Sequence, residues 1–224
     1  MWRDAVLVAG KDLRIEARSR VTTNQVLPYA VLVLVLFAFA LDPDRGVLAR
    51  ASAGLFWVAV LFSALLMVQR SNVIETLDGA RDALRLSGLD PAGIFLGKAA
   101  AVMVQLLLLE IVLGFGVVVL YGVDPAGFGV LAVTALVATW GLAGAGTIYG
   151  VLAAGQRGRE TLLPLLLLPV VAPVLIAATR ASESALNGVS LDVSAGDWIA
   201  LLTVFAVIYT SFGVVAFGPL LEDQ

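Results

Sequence analysis

The chain has 224 residues, 60% of them apolar, no histidine, no cysteine and a formal net charge of −3. Disulfides, thiolate chemistry and imidazole ligation are therefore excluded, zinc loses its two commonest ligand types, and a haem iron is left only Met or Tyr. No basic patch interleaved with aromatics is present, which argues against a nucleic-acid partner.

The first segment, Met1–Arg20, sets Trp2, Val6, Ala9, Leu13 and Ala17 on one stripe, with Arg3, Lys11, Arg14 and Arg18 mostly off it. Such a helix lies in the membrane interface, Trp at the headgroups and arginines toward anionic lipid. Bracing a cytoplasmic partner is the sharper alternative. Residues 1–25 mix acids with bases, which is not the pattern of a cleavable signal.

Apolar runs follow at Val26–Leu41, Ala51–Val68, Ala99–Tyr121, Gly127–Ala154, Thr161–Thr179 and Trp198–Leu221. Because about 20 helical residues cross the hydrocarbon core and lipid leaves no other partner for the backbone, each run predicts a transmembrane helix. The expected fold is an all-α polytopic membrane protein: six spans in a single domain over 1–224, preceded by the amphipathic segment 1–25. Eleven of the fourteen Lys and Arg residues fall before the first run or in the second and fourth connectors. Basic residues are retained in the cytoplasm, so both termini are expected there.

The second connector, Gln69–Lys98, is the longest, and it mixes Glu75, Asp78, Arg81, Asp82, Arg85 and Asp90 with Leu77, Leu84, Leu86 and Leu89. Asp78 can pair with Arg81 and Asp82 with Arg85 across one helical turn. A short helix with exposed leucines outside the bilayer suits docking into a partner's groove; a solvated connector is the bland alternative. Further on, Ala92–Ala99 resembles a phosphate loop only superficially. Ala92 replaces its first glycine and Ala99 its Ser/Thr, so ATP-driven work must be powered by another chain. Lys98 reads as a snorkelling residue at the start of the third span.

Glu110 lies near the middle of the third run. A carboxylate there costs roughly 2.5–3.5 kcal/mol on insertion scales, so it must face protein or water. It is either protonated or paired with Thr134, Thr139 or Tyr149; a structural hydrogen bond and a substrate or proton role both stand. Gly146 and Gly150 in the fourth run form a small-xxx-small pair for close helix packing, with a gating hinge as the alternative. Pro164, Pro169 and Pro173 free backbone carbonyls in the fifth run and predict a kinked or broken helix.

Gly54–Leu66 with its Trp57, then Arg70, Glu75, Asp78-Gly79, Leu84 and Gly97-Lys98, resemble the haem exporter protein B (CcmB) family, the permease-like subunit of the cytochrome c maturation transporter. Leu168-Pro169 to Pro173–Ala177 is similar to that family's fifth span, and Lys11–Glu16 to its amphipathic start. The likeness covers most of the chain. One departure falls in the second connector, where the family's Asp-Gly-Ser-Leu-Glu becomes Asp78-Gly79-Ala80-Arg81-Asp82.

The resemblance implies a non-catalytic, homodimeric ABC-2 type subunit whose Glu75, Asp78, Gly79 and Leu84 dock a cytoplasmic ATPase subunit. It further implies a haem-handling membrane partner and, indirectly, a periplasmic haem chaperone. Haem and ATP would be bound by those partners, and no cofactor by this chain. An ABC-2 permease exporting a lipid, drug or glycan is the alternative. An intramembrane enzyme is the weakest reading, since no His is available for a dyad and no Asp lies within the spans.

Overall fold

In hydrocarbon a backbone amide has only the carbonyl one turn away as a partner, and the apolar runs of this chain accordingly form long helices. The computed structural model describes residues 1–20, 22–41, 45–77, 88–154, 159–186 and 193–222. Their elements, in order, are α1 (Trp2–Ser19), a turn of π-helix (Thr22–Val26) running into α2 (Leu27–Leu41), and α3 (Arg45–Leu77). Then come α4 (Pro91–Tyr121), α5 (Phe128–Ala154), α6 (Arg159–Leu186) and α7 (Val193–Glu222). Six of these helical stretches, from the π-turn and α2 through α7, are long and apolar enough to cross a membrane.

Local chemistry sets several ends. Asp90 caps α4 by accepting the Ala92 N–H at 3.0 Å, with Pro91 in the first helical position, where its missing N–H costs nothing. Gly122, at φ 65°, closes that helix in the left-handed region. At the corner after α1, Arg20 takes φ 52° and its N–H reaches the Glu16 carbonyl at 2.7 Å. The Glu16 side chain then accepts the Thr22 N–H. With 31 residues α4 is about 46 Å long, well beyond the hydrocarbon thickness, so part of it stands outside the bilayer core.

The bundle is tied pairwise by buried and half-buried side chains. Trp57 Nε1 of α3 donates to Ser182 Oγ of α6 at 3.1 Å, and Trp140 Nε1 of α5 to Thr210 Oγ1 of α7 at 2.8 Å. Tyr121 at the end of α4 donates to the Leu34 carbonyl of α2 at 3.1 Å. In a membrane each such bond contributes only about 0.6 kcal/mol, but it fixes which helix faces which. The main core runs through α2 to α6 around Trp57, Leu106, Leu109, Leu142 and Leu167. A second core, at the end where α4 starts and α5 and α7 finish, joins Ala5 and Val8 of α1 to Ile94, Phe95, Ile148, Val151 and Phe217.

Several details differ from the pattern in the sequence. The face of α1 that packs against the protein is Ala5 and Val8, while Trp2 and Val6 of the large apolar stripe are more than 70% exposed. The reason is steric: Gly93 and Gly97 of α4 admit the α1 backbone itself. A Cβ on Gly93 would stand 2.7 Å from the Met1 carbonyl oxygen, and one on Gly97 2.6 Å from that of Ala5. Small residues must face such a contact, which leaves the bulky stripe turned outward, where an interface would take it. Lys98 is buried rather than snorkelling, in the stretch of α4 that α1 covers. The helix of the second run continues past Val68 to Leu77, and α6 is a single helix through all three of its prolines.

Candidate functional site

Glu110 is the acidic side chain that the fold places within the body of the bundle, and its neighbours define the candidate site. It projects from α4 toward α5, is 5% exposed, and its Oε1 accepts a 2.5 Å hydrogen bond from Thr139 Oγ1. Helix α5 can offer that donor because Thr139 is itself fully buried. Among the described residues the second carboxyl oxygen, Oε2, has no hydrogen-bond partner, and neither has Thr134 Oγ1 on α5. Gln105 is turned elsewhere, its Oε1 accepting from Thr22 Oγ1 at 3.4 Å.

Glu110 stands in the wall of a cavity of about 830 Å³ that extends to the α4–α5 loop at Asp124 and Pro125. Helices α3, α4, α5 and α6 all contribute to it, and the Trp57–Ser182 hydrogen bond lies in its wall. The lining is overwhelmingly apolar. Ile111, Phe115 and Phe128 at its margin are 70–71% exposed, so the cavity communicates with the outer apolar surface of α4 and α5. Such a chamber can take up an apolar body and can offer one polar anchor, the Glu110 carboxyl.

The other residues singled out in the sequence lie apart from this site. Asp78, Gly79 and Leu84 fall outside the described residues, as does the side chain of Glu75, whose backbone belongs to α3. Gly146 meets α3: a Cβ there would be 2.8 Å from Val68 Cγ2. Gly150 is buried one turn further on. Pro164 is half-buried, and Pro169 and Pro173 are exposed on α6, away from the buried Leu163, Leu167, Val171 and Val174. Among the described residues no three His, Cys, Asp or Glu side chains gather as a metal site. Met67 is packed into the main core and Met103 lies against it.

Two features carried little signal in the sequence. Gly93 and Gly97 stand in the false phosphate loop, and their spacing, the same as that of Gly146 and Gly150, was the available sign of close packing. The cavity had none, because Trp57, Phe115, Asp124 and Ser182 come from three helices and a loop.

Known proteins similar to this chain agree on one family. The sequence profile described as "CcmB protein" matches residues 3–221. The heme exporter protein B of Haemophilus influenzae is 31% identical over 209 residues, covering 92% of this chain and 93% of that protein. That of Pseudomonas aeruginosa is 28% identical over 212 residues, 94% of each. That of Escherichia coli K12 is 31% identical over 193 residues, 85% of each.

Proposed function

The chain belongs to the CcmB family and is a membrane subunit of the haem-export system of cytochrome c maturation; we propose that it couples ATP hydrolysis in a separate cytoplasmic subunit to release of haem-loaded chaperone from a neighbouring haem-handling membrane protein. The observation that carries this reading is the family match along residues 3–221. It is a multi-pass, permease-type protein of the inner membrane, and its own contribution is mechanical.

The helices on either side of the docking segment support that role. Residues 72–77 are the last turns of α3, and residues 78–90 lead on to the start of α4 at Pro91. The start of α4 is held by both α1 and α7, the Phe95 and Phe217 rings meeting at an angle of 49° with centroids 5.6 Å apart. A push on the segment would reach α4 as movement of a packed unit rather than as bending of a loose end. Glu75, Asp78, Gly79 and Leu84 are assigned to the ATPase contact, with two copies of the chain forming the membrane part. The asymmetry of basic residues puts the segment and both termini in the cytoplasm.

Haem is the partners' cargo. With no His or Cys, this chain offers iron only Met or Tyr, and Met67 is 4% exposed inside the core. Ligation therefore falls to the partner subunits, and the isolated protein is expected to purify colourless.

The experiment is Leu84→Asp in the intact complex. It should abolish co-purification of the ATPase subunit and lower ATP hydrolysis while membrane insertion is unchanged. Unaltered co-purification together with unaltered hydrolysis would refute the docking assignment. Reporter fusions at Gly79 and Gly188 check the orientation, a periplasm-active reporter being silent at the first and active at the second.

A further inference from the structure

We propose that the cavity beside Glu110 is a binding site, entered from the bilayer, for a neutral amphiphile whose hydroxyl group pairs with the Glu110 carboxyl and whose apolar body fills the chamber. The inference rests on the geometry of α3 to α6 and is independent of the haem-handling reading.

The volume decides the kind of molecule first. About 830 Å³ lies within the range of small-molecule pockets and greatly exceeds the packing voids of a well-filled interior. A water-filled chamber would need several polar partners for each water, and this lining offers scarcely any. An apolar body is what the walls solvate. Entry is lateral, because Ile111, Phe115 and Phe128 at the margin are also the exposed residues of the α4–α5 surface, where acyl chains would lie.

The polar anchor decides the head group. Oε1 of Glu110 is already engaged by Thr139, so Oε2, buried and without a hydrogen-bond partner among the described residues, is the atom left to bind something once the cavity wall yields to expose it. Ionised, that oxygen only accepts; protonated, it donates. A hydroxyl both donates and accepts, so it satisfies Oε2 in either state. A carboxylate or phosphate head would meet an ionised Glu110 as a like charge. A cationic head would need the carboxyl ionised and would have to shed its own water, a desolvation cost that a buried pair often fails to recover. The neutral hydroxyl is the head group without either cost, and an orphaned carboxyl oxygen, 95% buried with its residue, is the group it would complete.

The test uses the full-length protein in nanodiscs of phosphatidylethanolamine and phosphatidylglycerol, photolabelled with diazirine-bearing hexadecanol or, separately, diazirine-bearing palmitate. Saturable labelling by the alcohol is expected on peptides spanning 107–118 and 131–136, competed by plain hexadecanol and about tenfold stronger than labelling by the acid. Ala135→Trp, whose ring would occupy the chamber, should remove labelling by both probes; Ala132→Leu serves the same purpose if that variant is not monodisperse. Glu110→Ala should erase the preference for the alcohol, and Glu110→Gln, whose amide also donates and accepts, should keep it. Three results would each overturn the proposal: labelling spread equally over α2 and α7, indifference to cavity filling, or equal labelling by the acid. They would mark the cavity as lipid-facing surface, or as the seat of a partner helix.

Discussion

The two ends of the bundle solve the same packing problem in opposite ways. Where α4 begins, Gly93 and Gly97 draw the α1 backbone against the helix, and Phe95 lies fully buried against Phe217. Where α4 ends, α3 to α6 leave about 830 Å³ unfilled beside a carboxyl with one unpartnered oxygen. A close-packed interior transmits displacement and tolerates little change of volume; an apolar chamber with one polar group tolerates change and offers binding. The closed end adjoins the segment assigned to the ATPase, and the open end lies across the bundle from it.

That contrast breaks first at Phe95. Phe95→Ala removes a fully buried ring shared by α4 and α7 and should destabilise the protein by about 3–5 kcal/mol, read as lost thermal stability in detergent. Ala135→Phe, in the cavity wall, should cost far less because space awaits the ring. Equal losses would mean that the two ends are packed alike.

Gly97→Val comes next. Its side chain must displace the Ala5 carbonyl and Val8, at an overpacking cost of about 1–3 kcal/mol. It should release α1, seen as faster proteolysis within residues 2–19 while the six spans stay protected. Simultaneous loss of the whole bundle would show that α1 is no separable clasp.

A smaller effect is expected from Thr139→Val. It preserves the side-chain volume but removes the donor to Glu110, leaving the carboxyl without its hydrogen bond, for a loss of about 0.6–1.7 kcal/mol. Glu110→Gln in the same background should restore part of it, since the amide carries its own donors. A thermal shift that the second substitution deepens would place the Glu110 side chain in some other role.

The smallest effect is a pH dependence at the closed end. The Asp90 backbone N–H, and then the Met1 ammonium, hold the Asp4 carboxyl below the usual aspartate range. A carboxyl lowered in the folded state stabilises fully above its unfolded value of about 3.9, and that contribution fades as pH falls through the lower folded value. Asp4→Asn should therefore narrow the difference in α1 protection between pH 6 and pH 3. An identical pH response in the variant would remove Asp4 from the account.

The sequence alone determined the six spans and the helix that precedes them, because hydropathy and amphipathic spacing act within a few residues along the chain; it placed the start of the third span at Ala99, whereas α4 begins at Pro91 behind its Asp90 cap. It also determined that Glu110 needed protein around it, since a carboxyl in an apolar run has no favourable exposure to lipid. Only the tertiary structure decided that Thr139, and not Thr134, meets that carboxyl, as both are buried hydroxyls on the same helix. It likewise turned Ala5 and Val8 inward on α1, against the larger apolar stripe, because closeness to Gly93 and Gly97 favours small apolar side chains over large ones. The cavity belongs wholly to this second class. It is space between helices, fixed by how α3, α4, α5 and α6 sit against one another, and no periodicity within a single helix encodes it.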